Sequence, residues 1–106
     1  MSPQMEFDFD GIYDELRDVG VVNSQSELSR MMGKDDSYIS SRKAKLADPS
    51  VEAVLHLVFK LEKQRKAFEK RIRTNNISNE ELIAASTLYR VQNRLYEELR
   101  QMLDNE

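Results

Sequence analysis

Apolar residues recur at helical spacing in five successive stretches of this chain, divided by glycine, proline or asparagine. In the first stretch Ile12, Leu16 and Val19 share one face. Asp8 or Asp10 can cap that helix and Gly20 ends it, which leaves residues 1–7 as a loose leader. The second helix spans about residues 24–32 and opens on a capping box. The Ser24 hydroxyl can accept from the Glu27 backbone N–H, and Glu27 can reach back. Leu28 and Met32 lie one turn apart, and Ser29 is small enough to let another helix approach closely. Gly33 then supplies the left-handed conformation that ends a helix. Asp35 can cap the third helix, about residues 36–46, in which Ile39 returns to the core. Leu28, Met32, Ile39 and Leu46 are expected to be buried.

Asp48-Pro49-Ser50 stops the third helix, and the fourth begins either with Pro49 at its first position or with Ser50 as its cap. Val51, Val54, Leu55, Val58, Leu61, Phe68 and Ile72 form its apolar stripe, and His56 falls on the outer side. Unbroken to Arg73, this helix would be about 36 Å long, more than a compact four- or five-helix domain needs. Thr74-Asn75-Asn76 breaks it, and Ser78 with Glu81 forms a second capping box. The fifth helix, about 79–104, carries Leu82, Ala85, Tyr89, Gln92, Tyr96, Leu99 and Leu103, with Leu88, Val91, Leu95 and Met102 widening the stripe. So wide an apolar face exceeds what one helical hairpin covers. The pattern therefore predicts a homodimer bundled through Phe68, Ile72, Leu82, Tyr89, Leu95, Tyr96, Leu99 and Leu103.

Composition agrees with an all-α protein: three glycines, two prolines and one third charged residues. With no cysteine there is neither a disulfide framework nor a thiolate metal site, and His56 is the one histidine. No apolar run approaches the roughly 18 residues of a membrane span, and the acidic start is unlike a signal peptide. These features fit a cytoplasmic location with no membrane contact. Neither a phosphate-cradling glycine loop nor a nucleophile with a histidine base is present, so neither catalysis nor a cofactor is expected. Glu80-Glu81 and Glu97-Glu98 read as helix N-terminal or surface charges.

The formal charge of −3 hides a strong asymmetry. Residues 1–36 carry three basic and nine acidic side chains, residues 37–73 ten and four, and residues 74–106 three and six. The basic third begins at the third helix, and a local patch matters more for phosphate than the total. Lys60, Lys63, Arg65, Lys66, Lys70, Arg71 and Arg73, interleaved with Glu62 and Glu69, read as an exposed salt-bridged face.

The run Ser24-Gln25-Ser26-Glu27-Leu28-Ser29, Gly33, Ser37-Tyr38-Ile39-Ser40 and Asp48-Pro49-Ser50-Val51-Glu52 resembles the Cro/lambda-repressor-like (xenobiotic-response-element) helix-turn-helix family over about residues 12–61. It departs from that pattern at Lys34 and Arg42, where apolar residues are usual, at Lys43-Ala44, at Lys45, and in the extra Val22-Asn23 before the motif. The resemblance implies a helix-turn-helix DNA-binding domain at 1–61 and a helical dimerisation extension at 62–106. It implies Gln25, Asp36, Ser37, Ser40 and Ser41 as base and backbone contacts. Lys34, Lys43 and Lys45, together with Arg42, become the phosphate candidates. The function so implied is sequence-specific binding of double-stranded DNA by a homodimer, as a bacterial or phage repressor on a palindromic operator. The alternative is a protein-interaction or antitoxin-like module that keeps the fold, with a protein partner gripped by the C-terminal helices.

Overall fold

A computed structural model of the chain describes residues 6–104. Among them are five helices and no strand: α1 (Phe9–Asp18), α2 (Gln25–Met31), α3 (Tyr38–Ala44), α4 (Val51–Arg73) and α5 (Asn79–Asp104). Helix starts follow the local capping chemistry. Asp8 caps α1 by accepting from the Gly11 N–H at 2.9 Å, and Ser24 caps α2 from Glu27 at 3.1 Å. Ser50, not Pro49, is the cap of α4, accepting from the Ala53 N–H at 3.1 Å. Ser78 and Glu81 close the reciprocal box ahead of α5, each accepting from the other's backbone N–H at 3.2 Å.

Helix ends follow one rule. After each of α1 to α4 a left-handed residue turns the chain, and paired i→i−3 and i→i−5 bonds satisfy the last carbonyls. Gly20, Gly33 and Asn75 take that position comfortably at φ +77°, +74° and +56°. After α3 the position falls to Leu46, at φ +52° and 54% exposed. Leu46 is thus not the core residue its apolar character suggests. Its backbone closes α3 at a steric cost of about 1–2 kcal/mol, with its side chain turned to solvent.

One buried core crosses the expected boundary at residues 61/62. Phe7, Phe9, Ile12 and Leu16 meet Leu28, Met32 and Ile39, then Val54, Leu57 and Leu61 of α4, and finally Leu88, Val91, Leu95 and Leu99 of α5. The second half of α5 returns past α1, where Arg94 pairs with Asp8 at 2.5 Å and with Glu15 at 3.6 Å, and Arg90 with Glu15 at 2.9 Å. Head and hairpin therefore share one core, in place of the separate units 1–61 and 62–106. What projects is the hairpin tip: between Glu62 and Ile83 no residue is fully buried, in a molecule 52 × 28 × 20 Å across.

Three further expectations change. Residues 1–5 lie outside the described part, but Glu6 and Phe7 are not loose: both backbone N–H groups donate to the Asp48 carboxylate at 2.9 Å, and Phe7 is buried edge-on to Phe9. Leu55 faces largely outward, because the 100° step per residue carries it away from Val54 and Val58. Leu95 and Leu99 are covered by the chain's own core, which leaves them no surface for a second copy. Periodicity marks a face as apolar without saying which body covers it.

Helix α3 lacks a side-chain cap of its own, since Ser37 makes none. The fully buried Ser29 supplies it across the turn, its hydroxyl accepting from the Ile39 N–H at 3.2 Å. Ser29→Ala keeps the shape but orphans that buried donor. It should destabilise the protein by about 1–3 kcal/mol in urea unfolding, whereas an unchanged midpoint would show that the bond contributes nothing net.

Candidate nucleic-acid interface

The α2–α3 unit is fastened to α4 on two sides. At the turn, Gly33 lies against the His56 ring: a Cβ there would sit 3.0 Å from two ring carbons, so the close approach and the positive φ both require glycine. At the start of α3, the Tyr38 hydroxyl accepts from the Ser50 N–H at 3.0 Å, tying α3 to the cap of α4. Lys34 and Arg42, the two departures from an apolar seal, both lie over the Tyr38 ring, at 5.7 and 5.2 Å. Arg42 also donates to the Asp48 carbonyl at 3.3 Å, and Lys34 stands 3.9 Å from Glu52. Their stems and charges replace the apolar seal with a cation–π one.

Little charge is left at the outer face of this unit. Lys43 is held by Asp10 of α1 at 2.5 Å, and Asp36 by Arg30 of α2 at 2.7 Å. The Asp35 carboxylate does not cap α3 directly; it accepts from the Ser37 N–H and hydroxyl at 3.1 and 3.0 Å. Ser40 donates to the Ser37 carbonyl at 3.0 Å. Gln25 sits half-buried on the first turn of α2. Ser41 and Lys45 are exposed, with no side-chain partner among the described residues. The sequence reading names this segment without the internal partners Arg30 and Asp10, or the role of the Tyr38 ring as a platform. The Asp10–Lys43 pair spans 33 positions, so no local signal could have found it.

Across the molecule, α5 and the α3–α4 loop enclose a cleft of about 300 Å³, with Phe7, Pro49 and Met102 as its apolar part and Glu6, Asp48 and Glu98 as its acids. Burial, then repulsion from Asp48, Glu6 and Asp8, pushes the Glu98 carboxyl above its ordinary range, against the opposing pull of Arg94. Asp8 moves the other way, held low by the Gly11 N–H and then by Arg94. Among the described residues no cluster of His, Asp and Glu could hold a metal ion, and no helix is long and apolar enough to cross a membrane.

The class these features define is an all-α protein of five helices with a short helical pair locked onto a longer hairpin. By sequence the chain belongs to DUF6626, a family of unknown function whose profile matches residues 9–106. Neither the curated proteins nor the solved structures contain a match.

A carboxyl whose folded pKa is raised takes up its proton more readily in the folded state, so its contribution to stability falls as pH climbs through that range. Glu98→Gln should therefore unfold later than the parent chain at pH 7. The gain should shrink as pH falls to about 4, where the parent carboxyl is itself protonated. A gain of the same size at both pH values would assign the effect to packing.

Proposed function

We propose that this protein binds double-stranded DNA sequence-specifically as a homodimer and regulates transcription, most simply as a cytoplasmic repressor on a palindromic operator. The observation that carries this reading is the α2–turn–α3 unit. Gly33 and the Ser29–Ile39 bond fix its turn, and Ser41 and Lys45 stand unengaged on its outer side. A helix so fixed can enter a major groove, where Ser41 reads a base edge and Lys45 meets phosphate. Gln25 and Ser40 supply backbone contacts, Ser37 presents to a base, and Asp36 accepts from a base once Arg30 turns to phosphate. The chain acts by binding, without a catalytic step.

Dimerisation draws on the apolar residues that the chain leaves open. Ile72, Leu82, Tyr89, Tyr96 and Leu103 are exposed, the last four spaced seven apart along α5, with Phe68 partly buried beside them. Leu95 and Leu99 no longer belong to this surface.

One observation favours a protein-interaction module of the antitoxin type: Lys34, Arg42 and Lys43 are all engaged within the chain, which lowers the positive field at α3. Its protein partner would take the same α5 surface.

Selection of bound duplexes from random DNA should enrich a two-fold symmetric sequence, and Ser41→Ala should relax preference at one position in each half-site. Recovery of no enriched sequence would discard the specific reading. For the dimer, light scattering on the full chain should give twice the chain mass, and Tyr96→Asp should return it to one. A single-chain mass for the parent protein would remove the homodimer.

A further inference from the structure

The largest unengaged positive surface lies on α4, not on α3. Lys60, Lys63, Lys66, Lys70 and Arg73 are all exposed and, at 100° per residue, fall within an arc of about 140°. They extend along about 20 Å of helix at 1.5 Å per residue. The interleaved salt-bridged face that the sequence suggests forms in part: Glu62 pairs with Arg65 and Lys66, and Glu69 with Arg65. The two acids between them turn aside to Arg65, Glu69 at 2.5 Å and Glu62 at 3.8 Å. Arg65 is drawn inward over the Tyr89 ring of α5, its side chain 17% exposed, and the Tyr89 hydroxyl donates to Glu69. That hydrogen bond, and then Arg65, with Arg73 and Lys66 acting at longer range, hold the Glu69 carboxyl below its usual range. Arg71 is taken by Glu81 across the hairpin. Lys66 keeps only a 3.9 Å contact to Glu62, and Lys60, Lys63, Lys70 and Arg73 have no carboxylate within salt-bridge distance among the described residues.

We propose that this rail on α4 is a second nucleic-acid contact, lying along the phosphate backbone of double-stranded DNA and supplying most of the sequence-independent affinity. The inference rests on the DNA-binding reading above and gives it the phosphate contacts that α3 has lost to internal pairs. Four of the five cations are lysines, point charges that meet phosphate without a demanding geometry. A single DNA strand offers a phosphate about every 3.4 Å of axis, so a rail of this length spans roughly six. An acidic protein is the poorer match. Between Lys60 and Arg73 the arc holds Ala67 as its one apolar residue; the exposed Phe59 stands only at its N-terminal end, and protein interfaces centre on a cluster of buried aromatic or aliphatic anchors. The rail is continuous with the α2–α3 unit, because His56, one turn before Lys60, packs on Gly33 of the turn.

The test is a salt titration of the full-length protein on a mixed-sequence duplex, between about 50 and about 200 mM salt. A variant carrying Lys60→Gln, Lys63→Gln, Lys70→Gln and Arg73→Gln is compared with the parent chain. Each lost phosphate contact should flatten the log–log slope by about 0.9, so the variant should lose roughly 2 to 4 units of slope. Circular dichroism confirms that it stays helical, and Lys60→Arg with Lys63→Arg should retain the parent slope. Equal slopes for parent and glutamine variant overturn the rail, even where selection has yielded an operator. A flattened slope with no enriched operator keeps the rail and discards specific reading. Parent protein that ignores the duplex yet binds polyglutamate or anionic phosphatidylserine vesicles through these four residues overturns the rail as a DNA contact.

Discussion

The buried hydrogen bond from the Ile39 N–H to the Ser29 hydroxyl is the constraint from which the rest of the N-terminal arrangement follows. A seven-residue helix is too short to sustain itself, so α3 depends on what its neighbours provide. Ser29 does two things at once. Its small side chain lets α2 and α3 approach, and its oxygen takes the place of the missing cap. With α3 so placed, Ile39 enters the core, Tyr38 reaches the Ser50 N–H, and the Tyr38 ring becomes a platform for Lys34 and Arg42. Alanine would have met the size requirement alone. The hydroxyl is what satisfies the buried Ile39 N–H, at the residue next to Tyr38.

Cation placement follows from the same packing. A guanidinium or ammonium engaged by an aromatic ring, a carboxylate or a carbonyl gives up its reach toward solvent. Lys34 and Arg65 have both ring and carboxylate, Arg42 has the Tyr38 ring and the Asp48 carbonyl, and Lys43 has Asp10. The acids are drawn in with them: Asp10 to Lys43, Glu62 and Glu69 to Arg65, Glu81 to Arg71. What stays uncompensated is therefore not read from totals. A chain of net charge −3 keeps a bare positive edge on α4 because its acids are spent elsewhere, on the α5 side of the same helix.

Legibility in the sequence tracked the range of each interaction. The Ser78–Glu81 capping box and the glycine turn at Gly33 close within a few residues and formed as their local patterns implied. At α2 the Ser24 hydroxyl accepts from the Glu27 N–H, but the Glu27 carboxylate reaches one residue further back, to the Asn23 N–H. The α3 terminus was not legible, because nothing local marks Leu46 as the residue that must go left-handed. Nor was the return of α5 over α1, which brings Asp8 to Arg94 across 86 positions. Without that return, Leu95 and Leu99 read as apolar residues in need of an outside partner. With it, they are the floor under Phe7 and Phe9. In the α2–α3 segment the engagement of Asp36 with Arg30 and of Lys43 with Asp10 depends on tertiary approach, which no local pattern marks.

On the proposed function, the outer edge of α5 would link oligomeric state to DNA reading. At 100° per residue the apolar arc of this helix is about 180° wide, and the chain's own core covers roughly the two-thirds centred on Leu88, Leu95 and Leu99. Leu82, Tyr89, Tyr96 and Leu103 form the uncovered third, bordering the buried face through Ala85 and Gln92. Seven-residue spacing drifts by only about 20° per heptad, so the strip runs nearly straight along the helix and suits a second helix laid against it. Arg65 lies over the Tyr89 ring, yet Tyr89 and Tyr96 stay about equally exposed, at 43% and 42%. A two-fold pairing there would bring two α3 helices into one particle without disturbing the core that positions each, since no strip residue belongs to that core. Pairing and groove reading would then be separable by mutation and coupled in affinity, each half-site adding to the other through effective concentration.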